Sequence, residues 1–158
     1  MWGFRTGFIT YGVKNGTGAL YGILEEKTAG AIRGNISNAP NISQSLLLQA
    51  YGEKDYRREK DEKFRVLEKR YRHVKSILKK RKEYSEFFQP LPYNSGYFMC
   101  VKLAKSDPET IRQVLLKNYS TGIIATNGII RIAYSSIPDK LIEELFDNIY
   151  DAVSVAPY

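Results

Sequence analysis

Ile123-Ile124-Ala125-Thr126-Asn127-Gly128-Ile129-Ile130-Arg131-Ile132-Ala133-Tyr134-Ser135 holds two β-branched runs, Ile123 to Ala125 and Ile129 to Ser135, around an Asn-Gly pair. Asn-Gly accepts the positive φ angles of a two-residue hairpin turn, so the stretch reads as a β-hairpin. Upstream of it, Asp107-Pro108-Glu109 supplies a cap, a proline suited to the first helical position and an early acid. Ile111, Val114, Leu115 and Tyr119 then give that helix its apolar face. Downstream, a last helix opens at Pro138, with Leu141, Leu145, Phe146 and Ile149 as its buried stripe and Glu143, Glu144 and Asp147 facing out. Further upstream, Tyr97 to Leu103 reads as a strand after Gln89-Pro90-Leu91-Pro92-Tyr93-Asn94-Ser95-Gly96, a loop by composition. The C-terminal half is therefore a small sheet covered by helices, and the class is α/β or α+β.

Ahead of that sheet lies the segment that carries the charge. Glu53 to Tyr84 contains 14 Lys/Arg and 7 Asp/Glu, so the formal charge of +7 resides entirely there. Phe64, Leu67, Tyr71, Val74 and Leu78 recur at spacings of three and four within it, the seam of one long amphipathic helix. Two uses compete for its outer face. Bases and three tyrosines (Tyr56, Tyr71, Tyr84) would suit a basic helical nucleic-acid-binding or interaction module, whereas the interleaved acids repel a phosphate backbone and favour a plain solvated face.

Toward the N-terminus the pattern alternates again. Phe8 to Val13 is β-prone and ends at the turn pair Asn15-Gly16, which reads as a strand. Leu20, Ile23, Leu24, Ala31 and Ile32 keep helical spacing from Thr17 to Ser37, and Gly22, Gly30 and Gly34 imply close packing against another backbone. A second helix follows Asn38-Ala39-Pro40, capped by Asn41 or Ser43 and running to Gly52. The expected order is strand, three helices, strand, helix, two strands, helix.

Composition excludes several classes. No stretch approaches the ~20 apolar residues of a membrane span, and no secretory leader pattern is present, so a soluble cytoplasmic protein is expected. A single histidine and a single cysteine are too few for a Cys/His zinc site. Cys100, inside an apolar run, reads as a buried structural thiol, and His73, among charges, as a solvated side chain. Two arginines stand out. Arg5 lies between glycines in Gly3-Phe4-Arg5-Thr6-Gly7, which suits anion binding, and Arg131 interrupts an apolar strand on the face opposite Ile130 and Ile132. An arginine at that position either holds an anion or reaches solvent.

Four stretches together resemble one family. Trp2-Gly3-Phe4-Arg5-Thr6-Gly7-Phe8 is similar to the segment after the active-site lysine of pyridoxal-phosphate aminotransferases of the class I and II, aspartate aminotransferase-like (fold type I) family. Ile32 to Pro40 resembles its arginine, three residues, Ser-Asn-x-Pro stretch at the dimer interface, with Ala39 at the variable place. Asn94-Ser95-Gly96-Tyr97-Phe98 resembles the entry to its small domain, and Ile130 to Ser136 the strand that bears its substrate arginine.

The resemblance implies an end of a large cofactor domain over 1–52, a long connecting helix over 53–86 and a small C-terminal domain over 87–158. It further implies pyridoxal 5'-phosphate as cofactor, an α-amino acid and a 2-oxo acid as substrates, and a homodimer without nucleic-acid or membrane partners. Arg5 would pair with the cofactor phosphate, Arg131 would clamp the substrate α-carboxylate, and Arg33 would match the arginine that reaches a side-chain carboxylate across the dimer in aspartate-specific members. The family's Schiff-base lysine stands eight positions before the phosphate arginine, which places it upstream of Met1. The chain alone is therefore expected to contain no catalytic residue and to be inactive.

Overall fold

The computed structural model describes residues 3–156, and the chain divides into two compact units, Met1–Arg58 and Glu59–Tyr158.

The C-terminal unit is built on a four-stranded antiparallel sheet in the order β1-β2-β4-β3, with β1 at Phe88–Pro90, β2 at Met99–Leu103, β3 at Ile124–Thr126 and β4 at Ile129–Ile132. Asn127 (φ 44°) and Gly128 (φ 79°) form the expected turn between β3 and β4, both in the left-handed region that a primed hairpin turn demands. Met99, Val101 and Leu103 of β2 and Ile130 and Ile132 of β4 point into the core, the period-two alternation of a sheet with one buried face. Against them pack Ile111 and Leu115 of α4 (Pro108–Tyr119) and Leu145, Phe146 and Ile149 of α5 (Ile142–Val155). Asp107 caps α4, its carboxylate accepting from Thr110 N at 2.8 Å.

The charged segment is helix α3, Tyr56–Lys80, and its core contribution comes from Val74 and Ile77, with Tyr71 and Leu78 at the margin. Ile77 lies outside the stripe read from spacing, and Phe64 is 62% exposed, because the sheet and helices of this unit reach only the last three turns of α3. Three further expectations are corrected. Gln89 and Pro90, read as part of a loop, belong to strand β1, and Pro90 is accommodated because β1 is an edge strand, where a missing N–H costs no ladder bond. Tyr97 and Phe98 precede the strand rather than belonging to it. Leu141 sits half out in a 3₁₀ turn, Asp139–Leu141, and the fully buried Ile142 starts α5 in its place.

In the N-terminal unit, α1 spans Gly18–Asn35, capped by Thr17 Oγ1, which accepts from Leu20 N, and α2 spans Asn41–Gly52. Pro40 occupies the cap position of α2, so neither Asn41 nor Ser43 caps it, and Ser43 is buried instead. Phe8 to Val13 is not a strand: Phe8 is 73% and Ile9 68% exposed, and among the described residues of this unit no second strand offers the ladder a β-prone run requires. A Cβ placed on Gly22, Gly30 or Gly34 would meet nothing within 4 Å beyond its own helix backbone, so their expected close packing is not made by this chain's described residues. Trp2, part of the first resembling stretch, lies outside the described residues. Among the described residues no helix is long and apolar enough to cross a membrane.

Candidate functional site

Arg5 adopts a left-handed backbone conformation (φ 55°) two residues after Gly3 (φ 105°), a tight reversal that leaves its side chain exposed. It lines a cavity of about 730 Å³ together with Thr6, Gly7, Ser43, Gln44 and Tyr51, and it forms no ion pair among the described residues. A fixed planar cation beside a hydroxyl at an open cavity is a donor set suited to a phosphate-sized anion. Arg33 is not part of that lining. It stands in the last turn of α1, where its Nη1 donates to Ser37 Oγ at 2.9 Å and ties down the chain reversal at Ser37 (φ 72°).

The second arginine of the sequence reading sits in the C-terminal unit. The ladder pairs Arg131 with Cys100 of β2 on one side and Ile124 of β3 on the other, so these three share the sheet face opposite the core. Cys100 is accordingly half-buried on that face, a correction to its expected place in the core. The Arg131 guanidinium carbon lies 4.7 Å from the centroid of the Phe98 ring, and its Nε is buried without a hydrogen-bond partner. No carboxylate pairs with it among the described residues. A buried N–H of a charged group left unpaired is unfavourable by roughly 1–3 kcal/mol.

Behind this face the chain is tied together by residues that sequence reasoning passed over. Tyr134, fully buried two residues after β4, donates its hydroxyl to Gly96 O at 2.9 Å, and Ser135 N donates to Tyr97 O at 3.4 Å. Arg70 of α3 donates to Ser135 O. These bonds join the segment carrying Phe98 to the end of the strand carrying Arg131. The one available signal was Gly96, whose φ of 92° marks a reversal directly before two consecutive aromatics. Phe98 itself could not be found without the strand register.

His73 is half-buried rather than solvated, with Nδ1 3.1 Å from Asp139 Oδ1, while Lys69 Nζ lies 3.0 Å from Oδ2 of the same carboxylate. The Lys69 hydrogen bond holds the Asp139 carboxyl below its ordinary range, burial opposes that and His73 adds to it. The cluster fastens α3 to the turn before α5, a structural role.

No curated protein matches the chain. Among solved structures, an aminotransferase from Anaerococcus prevotii superimposes with a TM-score of 0.70 at 21% identity, covering 87% of this chain and 32% of that one. An aspartate transaminase from Corynebacterium glutamicum superimposes with a TM-score of 0.61 at 18% identity, covering 81% of this chain and 33% of that one. At those identities the likeness establishes the fold, and the chain spans about a third of the length of either structure. The profile of a family described as aminotransferase class I and II matches residues 1–149, which takes in Arg5, Arg33 and Arg131 alike. The chain belongs to the class I and II aminotransferases, a family whose cofactor is pyridoxal phosphate.

Proposed function

We propose that this chain is the C-terminal portion of an aminotransferase that moves an amino group between an α-amino acid and a 2-oxo acid. The observation that carries the reading is Arg131, a guanidinium on an apolar strand with a buried, unpartnered Nε and no acid beside it. A planar fork in that setting matches the geometry of an α-carboxylate and orients the bound molecule as well as attracting it.

The residues present also fit the cofactor. Arg5, exposed at a cavity and free of any acid, takes the phosphate through charge-assisted hydrogen bonds, with Thr6 at hand as a further donor. Pyridoxal phosphate, when bound, supplies the electron sink for ionisation at the substrate Cα. The task of this chain is to bind and orient: Arg5 fixes one end of the site, and Arg131 holds the carboxylate so that the Cα–H bond keeps one direction. Proton transfer is assigned to none of its residues. Arg33, whose Nη1 donates to Ser37 Oγ, matches the arginine that in aspartate-specific members reaches a side-chain carboxylate across a homodimer.

The exposed apolar side chains of α1 and α2, among them Ile23, Ile42 and Leu48, support burial of this unit in a larger assembly. In that assembly residues 1–52 close the large domain, 53–86 connect and 87–158 form the small domain, a division supported by the uninterrupted helix α3. A cytoplasmic location agrees with a cysteine content of one.

Arg131→Lys, made in the polypeptide that joins this chain to the lysine-bearing segment, tests the reading. Lysine keeps the charge and loses the fork, so kcat/KM for α-amino acids should fall by about two orders of magnitude while the cofactor stays bound through Arg5. Unchanged kinetics would refute the assignment.

A further inference from the structure

The half-buried Arg131 carries four rotatable side-chain bonds, and a guanidinium that must meet a carboxylate edge-on gains little if it is free to turn. In this protein something restrains it. Phe98, 49% exposed and outside the core, places its ring under the guanidinium at 4.7 Å, within the range at which a cation and an aromatic face attract. The ring is not placed by chance of a loose loop: two residues before it the Gly96 carbonyl accepts the Tyr134 hydroxyl at 2.9 Å, and one residue before it the Tyr97 carbonyl accepts from Ser135 N. One residue after it, Met99 is buried and paired with Ile132 in the ladder. Phe98 is thus held on both sides, and both holds run back to the strand that bears Arg131.

Phe98 belongs neither to the core cluster nor to the side chains packed against it, and half of its surface meets solvent, so burial does not account for an aromatic residue there. We infer that Phe98 is the positioning residue of the carboxylate site, its ring fixing the plane of the Arg131 guanidinium, and that the Tyr134 hydroxyl latches the segment that presents the ring. This rests on the assignment of Arg131 to the substrate carboxylate. Phe98 acts through Arg131 and contacts no reacting atom. Its effect is on selectivity for planar oxyanions: a carboxylate needs two parallel N–H donors in one plane, whereas a spherical halide needs only the charge.

The test uses the 158-residue chain labelled with ¹⁵N, and acetate and chloride as probes, followed at the Arg131 Nε–H resonance and at the backbone of β4. Phe98→Leu should weaken acetate binding by about 3- to 30-fold, the range of one cation–aromatic contact, and leave chloride binding nearly unchanged. It should also shift the Arg131 Nε–H resonance before any anion is added. Phe98→Tyr keeps the aromatic face and should restore the preference, and Tyr134→Phe, which removes only the latch, should lose part of it. Arg131→Gln should abolish the acetate response. Equal losses for acetate and chloride in Phe98→Leu, or an unchanged preference and an unmoved Nε–H resonance while Arg131→Gln abolishes binding, would overturn the positioning role and leave the Arg131 assignment standing. An acetate response that survives Arg131→Gln would overturn the assignment itself.

Discussion

Two tyrosines whose rings lie 6.5 Å apart allow the value of a single oxygen atom to be measured in opposite senses. Tyr134 donates its hydroxyl to Gly96 O at 2.9 Å, whereas the Tyr93 hydroxyl is buried and has no hydrogen-bond partner among the described residues. The Tyr93 ring packs edge-on against Tyr71 with centroids 5.6 Å apart and lies beneath Lys75 Nζ at 5.0 Å, contacts that phenylalanine preserves. Tyr134→Phe loses one neutral hydrogen bond and leaves the Gly96 carbonyl without its donor, so it should destabilise the chain by about 0.5–1.5 kcal/mol. Tyr93→Phe removes a buried group that gains no bond on folding, and it should be neutral or stabilising by about 1 kcal/mol.

Both hydroxyls of the pair hold their protons in alkali, Tyr134 through burial first and then through Tyr71. Burial first, then the neighbouring Tyr71 and Tyr134 phenols, push the Tyr93 hydroxyl up to about 12 from an ordinary 10.0. The folded chain therefore keeps that proton where the unfolded chain releases it, so its contribution is complete below pH 10 and is lost as pH rises toward 12. Tyr93→Phe should flatten this alkaline loss. Urea unfolding followed by circular dichroism, at pH 7 and at intervals up to pH 11, reads both effects provided the m-value is unchanged. Equal destabilisation by the two substitutions at pH 7 would refute the reasoning, since it would mean that the ring environment rather than the bonding of the oxygen sets the cost.

Two further outcomes concern α4. Asp107→Ala, which removes the cap on Thr110 N, should cost about 1 kcal/mol in urea unfolding, and Asp107→Asn much less. Glu109 is held at about 2, by Arg112 first and then by Gln113, against an ordinary 4.5, so its contribution is present above pH 4.5 and fades as pH falls toward 2. Arg112→Ala should flatten the acid limb of a thermal-midpoint profile between those values, and an unaltered limb would show that the exposed pair is screened away.

The C-terminal unit was legible because each of its signals is satisfied within it. Asn127-Gly128 needs two positive φ angles and has them, Asp107-Pro108 needs an N-terminus to cap and caps one, and Leu145, Phe146 and Ile149 need a sheet to bury against and find it. Where the reading slipped, it did so over facts that only a neighbour supplies. Gln89 and Pro90 become a strand through pairing with Lys102 and Val101, and composition alone reports the proline and not the edge that tolerates it. Ile77 and Phe64 exchange roles in α3 because a seam of the right period says which face is apolar but not how far along the helix the core extends.

The N-terminal unit and the site expose a different limit. β-propensity in Phe8 to Val13 expresses a preference for a pleated, half-buried surface, and preference becomes a strand only when another backbone completes the ladder. Arg131 was visible for the opposite reason: it contradicts its surroundings, and a charged residue in an apolar strand demands a partner whatever the fold. Phe98 does not contradict anything. An aromatic residue before a β-strand is ordinary, and its importance exists only in the register that sets Cys100, Arg131 and Ile124 side by side and in the Tyr134 bond that turns Phe98 toward them. Residues that break a local rule can therefore be found from the sequence, while residues that obey every local rule and act by holding another side chain in place require the structure.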